Sequence, residues 1–179
     1  MATTSTRTSS SEAIVLSKKA LLGRDMLVTL FTHDHGKVRA MARGVKTLTS
    51  RRAPHLQTGN LITVALSSRG NLFQIQETKL ISAFSQLKAE PKKVEYLYLF
   101  FFLLDRLLPE GEGEEDVYTL TKQYLVDLSR NDNFTRDRLA EYWSQLLMVL
   151  GYIQEPKRLM ELVATTQELI NDRIPLRIS

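Results

Sequence analysis

The sequence predicts an α+β chain in which a five-stranded N-terminal β-barrel precedes an α-helical bundle. Three observations carry that expectation. Up to about residue 90, apolar and polar residues alternate in short runs rich in Val, Ile, Leu, Thr and Phe, the period of a half-buried strand. From Pro91 onward the apolar residues recur at steps of three and four, the period of a helix. The charge changes sign at the same place: residues 1–93 hold 15 Lys and Arg against 5 Asp and Glu, and residues 94–179 hold 9 against 15. The formal net charge of +4 therefore conceals a basic half followed by an acidic one.

Taken in order, MATTSTRTSSS is polar, lacks the apolar core of a secretory signal and predicts a disordered tail over residues 1–11. Five strands follow: AIVLSKK (13–19), MLVTLFT (26–32), KVRAMAR (37–43), LITVALS (61–67) and LFQIQETKL (72–80). HDHG and SSRGN supply the turn residues after the second and fourth. Five short strands with one long loop, 44–60, after the third have the rhythm of a small Greek-key barrel of OB type, expected over residues 12–88. An SH3-like barrel has nearly the same pattern. Residues 89–179 then form a helical domain with helices at 94–108, 117–128, 137–150 and 156–170, separated by PEGEGEED, SRNDN and GYIQEP. Pro109 and Gly111 stop the first of these, and Gly151 stands where a C′ residue belongs after the third.

Several function classes fall away. There is no cysteine, so disulfides and thiolate metal sites are excluded, in keeping with a reducing, cytoplasmic setting. The longest purely apolar run, YLYLFFFLL, has nine residues, whereas a membrane span needs about 20, so a soluble protein without a membrane partner is expected. No P-loop, GxSxG elbow or HExxH occurs, and the expectation is a non-enzyme without cofactor or metal. His33, Asp34 and His35 resemble a metal cluster only superficially. HDHG is first a hairpin turn, in which Asp and Gly serve the backbone.

The stretch HGKVRAMARGVKTLTSRR, residues 35–52, carries six Lys or Arg and no acid. No acid lies between Asp34 and Glu77, a gap that holds seven bases. A period of two puts Lys37, Arg39 and Arg43 on one face of a strand and Val38, Ala40 and Ala42 on the other. Such a stripe suits phosphates, which need cations and no base-edge readout. The bland alternative is a solvated loop, but an ordinary soluble surface mixes its signs. The expected DNA-binding set is Lys37, Arg39, Arg43, Lys46, Arg51 and Arg52, with Lys18, Lys19, Arg24 and Arg69 widening the footprint where loops gather. Residues 1–93 contain only Phe31, Phe73 and Phe84 as aromatics, so base stacking is limited and sequence-blind binding of single and double strands is expected. In the helical half, Leu103, Leu107, Tyr142, Leu146 and Leu150, rimmed by Arg106 or Arg138, form either a peptide groove or simply core.

The run GRDMLVTLFTHDHGKVRAMARG, Gly23 to Gly44, resembles the N-terminal signature of the bacterial recombination mediator family RecO. EAIVLSKKALLGRD, the SRR loop, LQTGNLITVAL and LFQIQETKLI follow the same family's order, so the resemblance covers residues 12 to about 84. It implies an OB-fold domain followed by helices and a role in DNA repair and recombination. It further implies binding and annealing of DNA strands, contact with the tail of single-strand-binding protein, and work with RecR that lets RecA load on DNA. By position it assigns DNA contact to Lys37, Arg39, Arg43 and the bases of the following loop, in a cytoplasmic, nucleoid-associated protein. Many members carry a four-cysteine zinc module after a helix ending like LLMVLGY. This cysteine-free chain reads as a short form without it, running through LGYIQEPKRLMELV into a further helix. The competing readings are an RNA-binding OB module, a metal-dependent nuclease built on His33, Asp34 and His35, and a protein whose basic face meets an acidic partner.

Overall fold

The computed structural model describes residues 7–47, 50–69 and 72–175. Five strands come first: β1 (Arg7–Ala20), β2 (Met26–Thr32), β3 (Gly36–Ala42), β4 (Leu61–Arg69) and β5 (Leu72–Ser82). They close a barrel in the order β1-β2-β3-β5-β4. All neighbours are antiparallel except β3 and β5, which run parallel through Ala40↔Phe73 and Met41↔Gln74. This is the OB-type order, and it resolves the choice left between the two small barrels.

The long β1 makes closure possible. Its first half pairs with β4, from Arg7↔Ser68 to Ile14↔Leu61, and its second half pairs with β2, from Ala13↔Thr32 to Ala20↔Met26. The two pairings overlap at Ala13 and Ile14, and a register shift between Val15 and Ser17 follows directly, as a bulge that bends a strand at a barrel corner does. The expected tail over 1–11 is corrected accordingly. Residues 7–11 are strand, because polar Ser and Thr still suit a pleated edge when a partner strand more than fifty residues away supplies the ladder; residues 1–6 lie outside the described residues.

The alternation in β3 holds. Val38, Ala40 and Ala42 face inward and join Val15, Val28, Leu30, Ile62, Val64, Leu66 and Ile75 in a core that is almost wholly shielded from solvent. Val45 and Leu56 enter that core from the long loop, which is therefore part of the barrel's packing. The far end of the loop is pinned where Val15 N donates to Asn60 O and Gly59 N donates to Val15 O, both at 2.9 Å. Asn60 itself is buried, and its Nδ2 donates to the carbonyls of Pro54 and His55. Its burial leaves no unsatisfied amide.

Five helices follow: α1 (Ser85–Ala89), α2 (Pro91–Leu107), α3 (Glu115–Arg130), α4 (Arg136–Val149) and α5 (Leu159–Ile170). Pro91 opens α2, three residues before the expected start, at a position where a missing N–H costs nothing. Thr135 caps α4 by accepting from Arg138 N. Its other end closes on Gly151 at positive φ, with Gly151 N on Met148 O and Tyr152 N on Leu147 O. The last helix begins at Leu159, three residues after the expected start at 156, following an irregular stretch in which Ile153 is buried. Arg158 N donates to Glu161 Oε2 at its start.

The chain divides into two compact units. One consists of the residues up to Ala83 together with Leu108–Glu114; the other consists of Phe84–Leu107 and the residues from Glu115 onward. The boundary thus falls a few residues before the expected 88/89. The acidic link between α2 and α3 belongs with the barrel. Among the described residues, no helix is long and apolar enough to cross a membrane.

Candidate nucleic-acid interface

Strand directions sort the basic side chains by end of the barrel. With β1, β3 and β5 running one way and β2 and β4 the other, the β1–β2 turn and the exit from β3 share one end. The β2–β3 and β4–β5 turns share the opposite end.

At the first end a hydrogen-bond mesh joins two loops that are distant in sequence. Lys46 N donates to Arg24 O at 3.1 Å, Gly44 N donates to Asp25 Oδ1 at 2.9 Å, and Lys46 Nζ donates to the carbonyls of Leu21 and Gly23. Arg52 spans a wider gap. Its guanidinium donates to Ile75 O at 3.1 Å and to Arg43 O at 2.7 Å, fastening the loop after β3 to strand β5. The mesh gathers Lys19, Arg24, Arg43 and Arg51, all exposed, along the first end of the barrel and the loop that leaves it. No hydrogen bond or ion pair holds those four side chains among the described residues. They are cations presented to solvent on a backbone that is itself tied down.

The other expected contacts are differently placed. Lys18 is exposed and hydrogen-bonded to Gln57. Lys46 and Arg52 are engaged with backbone carbonyls, so their first role is to hold the loops that carry Arg24 and Arg43. Arg69 ends β4 at the opposite end, and its side chain lies outside the described residues. Lys37 departs most from an open stripe: it is only 4% exposed. Arg39 is exposed, but its Nε lies 2.9 Å from Glu110 Oε1.

The cause is the segment Leu108–Glu114, which seats itself against the start of β3. Strand β5 pairs with β3 only at Ala40 and Met41, leaving the edge of residues 36–39 open on that side. Glu110 forms a parallel bridge with Lys37, and Gly111 N donates to Lys37 O at 2.9 Å, covering this edge as an extra strand would. Gly36 makes the seat possible. It has φ +61°, and a Cβ there would stand 1.8 Å from Glu112 O. Gly36→Ala is therefore expected to cost about 1–3 kcal/mol, from left-handed backbone strain together with displacement of the segment, read as a lower thermal midpoint. Arg52→Ala is expected to cost about 1–3 kcal/mol in chemical denaturation, because two carbonyls lose a charged donor. Arg52→Lys recovers little of it, since one ammonium does not reproduce the planar fork.

Sequence reasoning missed the Glu110–Gly111 contact and read PEGEGEED only as a break between helices. The signal was there in an acid-free basic strand and a base-free acidic link, but pairing across more than seventy residues is invisible to a local window.

The aromatics leave little stacking surface on the barrel. Phe31 is fully buried, and Phe73 packs partly buried against the barrel core, its ring centroid 6.1 Å from that of His35. The HDHG turn is held by hydrogen bonds within it and to β1: His33 Nδ1 with Asp34 Oδ1 and His35 Nε2 with Ser9 Oγ, both at 2.9 Å. The hydrogen bond from His33, helped by Ser11, keeps the Asp34 carboxyl below its ordinary range. The third histidine of the chain, His55, is hydrogen-bonded to Thr78, and no group of metal-ligating side chains converges among the described residues.

In the helical unit Leu103, Leu107 and Leu146 are buried, so these leucines are core and not groove. Tyr142 Oη donates to Asp127, whose carboxylate also receives Arg138 Nε at 2.7 Å. Arg106 is paired with Asp172.

A closed five-stranded barrel of OB order, with exposed cations toward one end, places the N-terminal unit in the OB-fold class. Residues 6–84 match the family model described as "Recombination protein O N terminal", and the N-terminal domain of this chain belongs to that family. Among curated relatives, the chain is similar to the DNA repair protein RecO of Geobacter metallireducens, 31% identical over 148 residues, or 83% of this chain and 59% of that protein. The corresponding figures for the DNA repair protein RecO of Geobacter sulfurreducens are 30% over 141 residues, 79% and 58%. For that of Caldanaerobacter subterraneus they are 27% over 142 residues, 79% and 58%. The chain thus spans just under three fifths of the length of these relatives.

Proposed function

We propose that this protein acts in DNA repair and recombination as a non-enzymatic module that holds single and double strands through their phosphates. The supporting observation is the set of four exposed cations: Lys19 near the end of β1, and Arg24, Arg43 and Arg51 in the adjoining loops, which the Lys46, Asp25 and Arg52 hydrogen bonds tie down. A fixed row of positive charge binds a polyanion by releasing its counterions, and pre-set loops reduce the ordering cost of contact. Family membership supports DNA as the polyanion, since the similar proteins carry the name DNA repair protein.

Annealing of complementary strands is the activity that fits this surface best. Neutralised phosphates lower the repulsion between two strands, and a surface with few stacking aromatics leaves base edges free to pair. Contact with RecR and with the tail of single-strand-binding protein, and through them RecA loading, belong to the same proposal by family resemblance. The test is annealing of dye- and quencher-labelled complementary oligonucleotides. Acceleration by the wild-type chain that is lost at high salt is expected; a rate equal to that of the free strands would contradict the proposal. Acceleration confined to RNA would move the reading to an RNA module.

A further inference from the structure

The acidic segment on β3 covers Lys37 and pairs with Arg39, two members of the basic stripe on that strand. From this we infer that Glu110 is an intramolecular competitor for nucleic-acid phosphate. Its carboxylate holds Arg39 in the place a phosphate oxygen would take and lowers the affinity of the barrel for polyanions. The inference deepens the DNA-binding reading and rests on it.

Three observations lead there. First, the segment is seated and not merely nearby: Gly111 N on Lys37 O, the Lys37↔Glu110 bridge and the Gly36 backbone beneath Glu112 O hold it on the open edge of β3. Second, its chemistry imitates a phosphate backbone. Glu110, Glu112 and Glu114 alternate with glycines, so successive carboxylates follow one another along the segment with little side-chain bulk between them. Third, the pair it makes is exchangeable. The Arg39 and Glu110 side chains are 53% and 50% exposed, and an ion pair in that setting is held weakly against a competing anion. A buried pair would be a permanent strut, whereas this one is accessible to solvent and to a ligand. The free cations Arg24 and Arg43 lie toward the end of the barrel away from the seated segment. A strand bound there reaches Arg39 only by displacing Glu110.

The experiment is a double-mutant cycle on the full chain, with Glu110→Gln, Arg39→Ala and the double variant compared with wild type in anisotropy titrations of single-stranded DNA across a salt series. Glu110→Gln is expected to tighten binding about threefold to eightfold near physiological salt and to steepen the salt slope by about one, the signature of one additional phosphate contact. Arg39→Ala alone is expected to change affinity by less than about twofold, because that charge is already neutralised; in the Arg39→Ala background the gain from Glu110→Gln falls to less than about twofold. An equal gain in both backgrounds means that Glu110 acts only through the general field of the protein and overturns the inference, as does no gain at all. Glu112→Gln removes the same charge without removing the Arg39 contact and is expected to reproduce neither the gain nor the slope.

Elution from immobilised heparin is measured in parallel for the same four proteins. If none of them binds DNA, the functional reading fails. Later elution of Glu110→Gln, absent in the double variant, would then still support masking of Arg39, while unchanged elution would overturn it. Circular dichroism of each variant establishes that the fold is retained.

Discussion

Alanine at Lys19, Arg24, Arg43 and Arg51 together is expected to weaken DNA binding by roughly a thousandfold near physiological salt and to flatten the salt slope by about 3 to 4. Each phosphate contact contributes a slope near −0.9, equivalent to about a five- to sixfold gain in affinity at that salt, and four such factors multiply to the stated loss. The stability cost is small, because all four side chains are exposed and no internal hydrogen bond is lost with them. A control variant with Lys92, Arg130, Arg158 and Arg173 changed to alanine removes the same formal charge from the helical unit. It is expected to change affinity by less than about tenfold, since the position of the charge and not its total decides contact. Equal losses in the two quadruple variants would mean that the barrel's cations have no special place.

Trp143→Ala carries the largest expected effect on stability, a loss of about 3–5 kcal/mol. The indole is fully buried in the helical unit, and its Nε1 donates to Thr166 Oγ1 at 3.0 Å. Removal leaves a cavity and orphans a buried hydroxyl, two costs that add. Urea unfolding followed by far-ultraviolet circular dichroism reads the loss. Trp143→Phe keeps most of the volume but not the donor and is expected to recover more than half of it. A loss below about 1 kcal/mol for Trp143→Ala would mean that this helical packing is looser than the structure shows.

The barrel was legible because its signals are local. The period of two in KVRAMAR places Val38, Ala40 and Ala42 inward without reference to any other segment, and β2 coincides with MLVTLFT from end to end. The Gly151 cap was legible for the same reason: one glycine after an apolar-periodic helix. What failed was non-local. Residues 7–11 are strand only because β4 lies beside them, and composition cannot see β4. The short α1 was not expected, being a five-residue turn squeezed between Phe84 in left-handed conformation and Pro91.

The site divides along the same line. Which residues are basic, and that they cluster, is written in the chain, and so is the scarcity of aromatics on the barrel. Whether a given cation is open to a ligand depends on what returns to cover it. Arg43 is left exposed, Lys46 and Arg52 are engaged with backbone carbonyls, and Lys37 and Arg39 are met by a segment some seventy residues later. Period and charge identify a face; only the returning chain decides how much of that face remains available.

The central claim is that a fixed row of cations on the barrel holds DNA through phosphate without reading sequence. Its most direct test is fluorescence anisotropy of the wild-type chain with single-stranded DNA, the matching duplex and an RNA of equal length, each across a salt series. The account predicts binding to both DNA forms, insensitive to sequence, with log affinity falling linearly as log salt rises. Affinity that is absent, independent of salt or confined to RNA would contradict it.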